Sequence, residues 1–179
     1  MATRVAAARR YAQAAFEIAR DTNMLDEWLG DLKTLNGVFG SSQAVSMLED
    51  PKLTLEDQNR VVDRLVQPGV VRETPMNLLR LLIHRRRLPV LPRLLEIYQE
   101  MYNKEKGIVV AEVTTAVPLD EENRKRVAAR LSEITGGKTI ELRLHEDPAI
   151  LGGMITRIGD MLIDASVATR LAELGERLA

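Results

Sequence analysis

The sequence predicts an α+β protein that is mostly helical. It consists of an N-terminal six-helix bundle, residues 1–106, and a small C-terminal α/β domain, residues 107–179, with a mixed sheet and a C-terminal helix. Up to residue 106 the apolar residues recur at helical spacing, and no strand candidate intervenes. From Ile108 the spacing changes to the strand period of about 2, and β-branched residues dominate as far as Val117.

Composition limits the class of protein. With 179 residues, of which 45% are hydrophobic, the chain can bury a core. The 25 basic and 26 acidic residues give a net charge of −1, which directs the chain neither to nucleic acid nor to anionic lipid. The absence of cysteine excludes disulfides and thiolate chemistry. The first ten residues lack the apolar core of a secretion signal, and no apolar run is long enough to span a bilayer, so we expect membrane association only through partners.

Turn signals divide the N-terminal half into helices. Glycine, proline and small polar residues cluster at residues 37–42, Asp50-Pro51, Pro68-Gly69 and Thr74-Pro75. The segments between them carry apolar residues at bundle spacing. The predicted helices cover residues 4–20, 24–38, 43–48, 55–65, 75–83 and 88–106.

The C-terminal half begins with a predicted βαβ unit. Asp120 opens a helix with acidic residues in its first turn, and Gly136 follows the end of that helix. Ile140, Leu142 and Leu144 then alternate with polar residues, which predicts a second strand. A right-handed crossover makes this strand parallel to the first.

A hairpin and a last helix complete the chain. Gly152 and Gly153 predict a bulge or tight bend before a strand over residues 154–158. Gly159-Asp160 is a turn into a short return strand over residues 161–163, after which Asp164 or Ser166 can cap a helix. This helix has one apolar face, which would pack most simply on its own sheet; the residues are Val167, Leu171, Leu174 and Leu178.

Candidate catalytic and nucleic-acid motifs are weak. Gly136-Gly137-Lys138-Thr139 ends like a phosphate loop but lacks the upstream glycine and runs from helix to strand, so we interpret it as a helix C-cap. His145-Glu146-Asp147 is interpreted as an exposed turn, since the other histidine, His84, lies in the other domain. The cluster His84-Arg85-Arg86-Arg87 fits a solvated helix end better than a phosphate-binding surface. No catalytic, metal or cofactor site is therefore predicted.

Two helices are more apolar than a surface helix requires. The first is rich in alanine on several sides, and six of the eight residues from Met76 to Ile83 are apolar. Either these helices are fully buried, or they form a groove that accepts a foreign amphipathic helix. The residues alone leave both alternatives open.

Four segments resemble one known family. LGGMITRIGDMLIDASV at residues 151–167, RYAQAAFEIA at 10–19, NLLRLLIHRRRL at 77–88 and YNKEKGIVVAEVTTAVPL at 102–119 are similar, in the same order, to the delta subunit of bacterial F-type ATP synthases. The mitochondrial counterpart is the oligomycin-sensitivity-conferring protein. The family often has an aromatic residue where this chain has Met154. The structural signature that the resemblance assigns comprises Gly152, Gly153, Gly159, Asp160 and Asp164.

The resemblance implies a non-catalytic stator subunit without cofactors. It would link the alpha/beta catalytic head to the membrane-anchored b subunits, resist rotor torque during proton-driven ATP synthesis, and lie on the cytoplasmic face of the plasma membrane. An RNA-binding α/β module and an unrecognised enzyme are the alternatives.

The resemblance also implies which surfaces bind partners. The first and fifth helices would bind the N-terminal helix of an alpha subunit, and the last helix would bind the C-terminal coiled coil of the b subunits. The beta subunit would be a partner only within the head. The expected alpha contacts are Ala7, Tyr11, Ala14, Ile18, Met76, Leu79 and Ile83, and the expected b contacts are Val167, Leu171, Leu174 and Leu178.

Overall fold

A computed structural model describes residues 2–50, 53–67 and 69–178, and the side chains among them from residue 5 to residue 176. The chain forms two compact units, Met1–Tyr102 and Asn103–Ala179. Among the described residues, no helix is both long and apolar enough to cross a membrane. The predicted turn residues Pro51 and Pro68 lie outside the described ranges.

Helices make up the whole N-terminal unit apart from short connections. The prediction of a mostly helical chain is confirmed, with ends within about two residues of those expected. One difference lies before the last of these helices, where Leu88–Val90 forms a 3-10 turn. Pro92 has no N–H to donate to the carbonyl of Leu88, so the α-helix begins only after this turn. The helices are α1 Ala2–Asp21, α2 Leu25–Phe39, α3 Ser42–Leu48, α4 Leu55–Leu65, α5 Glu73–His84 and α6 Leu91–Lys106.

An alanine seam on α1 organises the core of this unit. Four alanines, spaced by four, three and four residues, are buried, and their small side chains allow close helix approach. Beside them the ring of Phe16 meets that of Tyr98 on α6 edge to face, with centroids 5.7 Å apart. The Tyr98 hydroxyl donates to the carbonyl of Leu25 at 3.1 Å, and burial raises the pKa of this phenol. The seam consists of Ala8, Ala12, Ala15 and Ala19.

One ion pair in the described part of this unit has a buried carboxylate. The Nε of Arg72, at the start of α5, lies 2.9 Å from Oδ2 of Asp31 on α2. The Asp31 side chain is only 9% exposed, whereas that of Arg72 is 42% exposed. The pair therefore joins α2 to the beginning of α5 through a carboxylate that has lost most of its water.

The C-terminal unit is built on a mixed four-stranded sheet, as predicted. The strands are ordered β2-β1-β3-β4. β1 and β2 are parallel, which confirms the βαβ unit, and β3 pairs antiparallel with both β1 and β4. The elements are β1 Ile108–Thr115, α7 Glu121–Ile134, β2 Thr139–Glu146, β3 Met154–Ile158, β4 Met161–Asp164 and α8 Val167–Leu178.

Only one face of the sheet contributes to the core of this unit. Ala111 and Val113 of β1 are buried against Leu131 of α7, and the half-buried apolar residues of the other strands surround them. The residues that alternate with these on the strands point to the opposite face. There Glu112, Arg143 and Arg157 are exposed.

We predict that Asp31→Asn destabilises the N-terminal unit by about 1–3 kcal/mol, because a neutral amide replaces the buried carboxylate that accepts a charge-assisted hydrogen bond from Arg72. Asp63→Asn removes the partner of Arg80 in an equally short but exposed pair, 2.9 Å apart, and is the matched control. It should cost less than about 1 kcal/mol. Urea unfolding followed by the fluorescence of Trp28, the single tryptophan, buried in α2, measures both changes. Equal effects of the two variants would contradict the assignment.

Candidate partner-binding surfaces

The four expected contact residues of α1 divide between core and surface. Ala7 is buried, and Tyr11 is half-buried at the edge of the core. Ala14 is exposed, and Ile18 is 44% exposed although it is a large apolar side chain. The outward apolar surface of α1 therefore lies at Ala14 and Ile18, with Tyr11 beside it.

The three expected contact residues of α5 are core residues, which corrects the expectation that they face a partner. Met76, Leu79 and Ile83 are all buried, and Leu79 has no exposed surface. They follow the inner face of α5 at spacings of three and four. Leu81 is instead the exposed large apolar side chain of this helix, at 41%, and Leu78 is half-buried. Asn77, Arg80 and His84, spaced by three and four residues, mark the outward side on which Leu81 lies, and this polar spacing is the signal that could have identified it.

The apolar face of α8 is open to solvent. Val167, Leu171 and Leu174 are exposed, and the two leucines retain 54% and 52% of their surface. The interpretation that this face packs on its own sheet is therefore wrong for these three residues. The side chain of Leu178 lies outside the described part of the chain. Exposed apolar residues at spacings of four and three form a stripe that suits another helix.

The paired glycines hold the start of α8 against the sheet. Gly153 has φ 77°, and a Cβ there would lie 2.2 Å from the carbonyl oxygen of Ala165. Only glycine permits this approach. Two backbone hydrogen bonds depend on it, from Ala165 N to Met154 O and from Val167 N to Gly152 O, both 2.9 Å. The predicted bend is thus the place where the backbone preceding β3 meets the backbone entering α8.

The remaining signature residues close the hairpin and cap α8. Gly159, with φ 56°, and Asp160 form the turn between β3 and β4. Asp164 accepts hydrogen bonds from Ser166 N and Thr169 Oγ1, both at 2.8 Å, and these bonds lower the pKa of its carboxyl. The Ser166 hydroxyl in turn accepts from Thr169 N at 3.2 Å. Both predicted caps therefore act together at the first turn of α8.

The weak chemical motifs have structural roles. Gly137 N donates to Ser132 O at 2.8 Å, and both Gly136 and Gly137 have positive φ, which is the geometry of a helix C-cap. His84 ends α5, and His145 lies near the end of β2 in the other unit. Within the described ranges no three histidine, aspartate or glutamate residues are placed to hold a metal ion. Exposed apolar helix faces are typical of proteins that bind other proteins, and such a protein without a catalytic site is here called an adaptor.

Comparisons with known proteins specify which adaptor this is. The family model for the ATP synthase delta (OSCP) subunit matches residues 7–178. ATP synthase subunit delta of Symbiobacterium thermophilum is 34% identical over 173 residues, covering 97% of this chain and 92% of that protein. The same subunit of Anaeromyxobacter dehalogenans is 35% identical over 172 residues, covering 96% of each. A chain of the mitochondrial ATP synthase hexamer of Toxoplasma gondii matches with a TM-score of 0.68 and 26% identity, covering 96% of both chains.

The chain belongs to the ATP synthase delta (OSCP) subunit family. It is a subunit of the peripheral stalk of an F-type ATP synthase and does not itself catalyse a reaction. Family membership thereby decides against the two alternatives considered from the sequence, an RNA-binding module and an enzyme.

We predict that Gly153→Ala destabilises the C-terminal unit more than Gly137→Ala does. Both variants place a side chain at positive φ, which costs about 1–2 kcal/mol. Only at Gly153 would the new methyl group also meet backbone, because nothing lies within 4 Å of a Cβ at Gly137. Thermal melts give the two stabilities, and trypsin cleavage after Arg170 reports release of the start of α8. Equal losses and unchanged cleavage would show that the close approach is unimportant.

Proposed function

We propose that the two units bind different parts of the ATP synthase. The helical unit, acting as one six-helix bundle, binds the N-terminal helix of an alpha subunit, and α8 binds the C-terminal coiled coil of the b subunits. The beta subunit is a partner only as part of the head. The chain thereby connects the head to the stalk on the cytoplasmic face of the membrane. The observation that carries this proposal is that each unit leaves large apolar helix residues in solvent, Ile18 and Leu81 in one and Leu171 and Leu174 in the other.

The contact with the alpha subunit uses the exposed residues of the two expected helices. On α1 these are Ala14 and Ile18, with half-buried Tyr11 beside them, and on α5 the residue is Leu81, which lines a groove with Leu55 of α4. Ala7, Met76, Leu79 and Ile83 support these residues from within the core. Both helices pack against the same 3-10 turn, Leu88–Val90, which gives them a common support. A small side chain at Ala14 allows a partner helix to approach closely.

Apolar contacts suit a connection that carries torque. Exposed ion pairs contribute roughly 0–1 kcal/mol each and are screened by salt. Full burial of one large apolar side chain contributes about 1.5–3 kcal/mol. Differences in affinity between related complexes lie mostly in the dissociation rate, so apolar burial favours the slow dissociation that a loaded stalk requires.

The contact with alpha can be tested with a synthetic peptide of the alpha-subunit N-terminal helix. We expect calorimetry to show that Ile18→Asp weakens binding by about tenfold or more, since a carboxylate would replace an apolar side chain that the bound peptide covers. Leu65→Asp is the matched control, because Leu65 on α4 is similarly exposed, 48% against 44% for Ile18. Equal weakening by both variants, or unchanged binding by the first, would contradict the assignment of this face.

The contact with b requires a test in which the head is present. With membranes stripped of the head and of this subunit, we expect Leu171→Asp/Leu174→Asp to reduce reattachment of the head by about tenfold or more. Binding of the same variant to the isolated head should stay unchanged. Val117→Asp, at a residue 66% exposed in the same unit, should leave both activities intact. Loss of head binding, or normal reattachment, would show that α8 is not the stalk-binding element.

A further inference from the structure

The sheet face opposite α7 carries a row of alternating charge. Arg143 on β2 and Arg157 on β3 are both register partners of Glu112 on β1, and Leu162 on β4 is the partner of Arg157. Register partners in a sheet point to the same face. The four side chains therefore follow one line across all four strands, in the order basic, acidic, basic, apolar. All four are exposed, and Leu162 retains 58% of its surface.

These three charges are not joined in close ion pairs. None of the ion pairs found in the described part of the chain involves Arg143, Glu112 or Arg157. A shallow hollow beside the row is lined by Thr114, His145 and Ile155 together with Glu112, Arg157 and Leu162. A row of exposed charges in a fixed order along the sheet is complementary to a partner whose charges follow the opposite order.

We propose that this row, which we call the charge row, binds an α-helix of a partner protein. The helix presents an acidic residue at position i, a basic residue at i+3, an acidic residue at i+7 and an apolar residue at i+10. Each partner side chain then meets its complement, carboxylates at Arg143 and Arg157, a cation at Glu112 and an apolar group at Leu162.

The dimensions of a helix match those of the charge row. Neighbouring strands are about 4.8 Å apart, so the second, third and fourth members lie roughly 5, 10 and 14 Å from the first. A helix rises about 1.5 Å per residue, which places i+3, i+7 and i+10 at roughly 4.5, 10.5 and 15 Å from i. These positions also share one side of a helix. A helix that crosses the strands can therefore engage all four residues.

The alternation of charge distinguishes this partner from a polyanion. Nucleic acid and anionic lipid present negative charge without interruption, and Glu112 at the centre of the row would repel it. The charge row lies on the sheet rather than on α8, so the inference goes beyond the proposed function and does not depend on it.

The test uses the full chain and two designed, cross-linked helical peptides. One carries Glu, Lys, Glu and Leu at i, i+3, i+7 and i+10, and the other carries Lys, Glu, Lys and Leu. An exposed ion pair changes affinity by about two- to fivefold, so three pairs should make the first peptide bind about tenfold or more tightly at low salt. The variant Arg143→Glu/Glu112→Lys/Arg157→Glu should reverse this preference.

Control variants distinguish peptide binding at the charge row from a general effect of surface charge. Arg126→Glu/Arg130→Glu, on exposed positions of α7, should leave the preference unchanged. If the triple variant loses its cooperative melt, Arg143→Gln/Arg157→Gln replaces it and should reduce the preference severalfold.

Four results would overturn the inference. The first is equal affinity for the two peptides, and the second is a preference that variants of the charge row leave unchanged. The third is binding of polyglutamate or of phosphatidylglycerol vesicles that is as tight as binding of the first peptide and is abolished by Arg143→Gln/Arg157→Gln. This result would identify a surface that binds anions in general. Sedimentation showing that the free chain dimerises through this face, and that dimerisation excludes the peptide, would identify a second copy as the occupant instead.

Discussion

The burial of the alanine seam of α1 is the contact on which the N-terminal unit depends. Ala8, Ala12, Ala15 and Ala19 have almost no exposed surface, and their small side chains allow α1 to pack closely on its neighbours. Phe16 and Tyr98 fill the space beside the seam. Because small residues make the inner face, the core is complete without Ile18 on the outer side of the same helix. The outer side of α1 therefore stays apolar and exposed without any loss of core packing.

In the C-terminal unit, too, the groups that hold the fold together differ from those left exposed to bind a partner. Here backbone groups, rather than small side chains, make the holding contacts. The approach of Gly153 to Ala165 and the hydrogen bonds of Asp164 and Ser166 fix the first turn of α8. Leu171 and Leu174 contribute little to this attachment, since both remain more than half exposed. α8 can therefore be positioned precisely enough to bind a partner while its apolar stripe stays free.

Sequence reasoning succeeded where the decisive interactions are local. Caps, glycines and changes of period lie within a few residues of the elements they define, so the bounds of α4 and the parallel pairing of β2 with β1 could be predicted. Sequence reasoning failed where only tertiary packing determines which of two similar helix faces is buried. Leu79 and Leu81 have the same side chain two positions apart, yet one is buried and the other is 41% exposed. The charge row is not visible in the sequence, because Glu112, Arg143 and Arg157 meet only through strand register.

Exposed apolar and exposed charged residues contribute differently to a stalk connection. Apolar burial is not directional, so Leu171 and Leu174 can supply binding free energy to a helix in more than one orientation. Charges add less free energy but reject wrong partners and wrong registers, because like charges placed together repel. A surface that must hold one partner under load in one register therefore benefits from both. The C-terminal unit presents both, the apolar stripe on α8 and the charge row on its sheet.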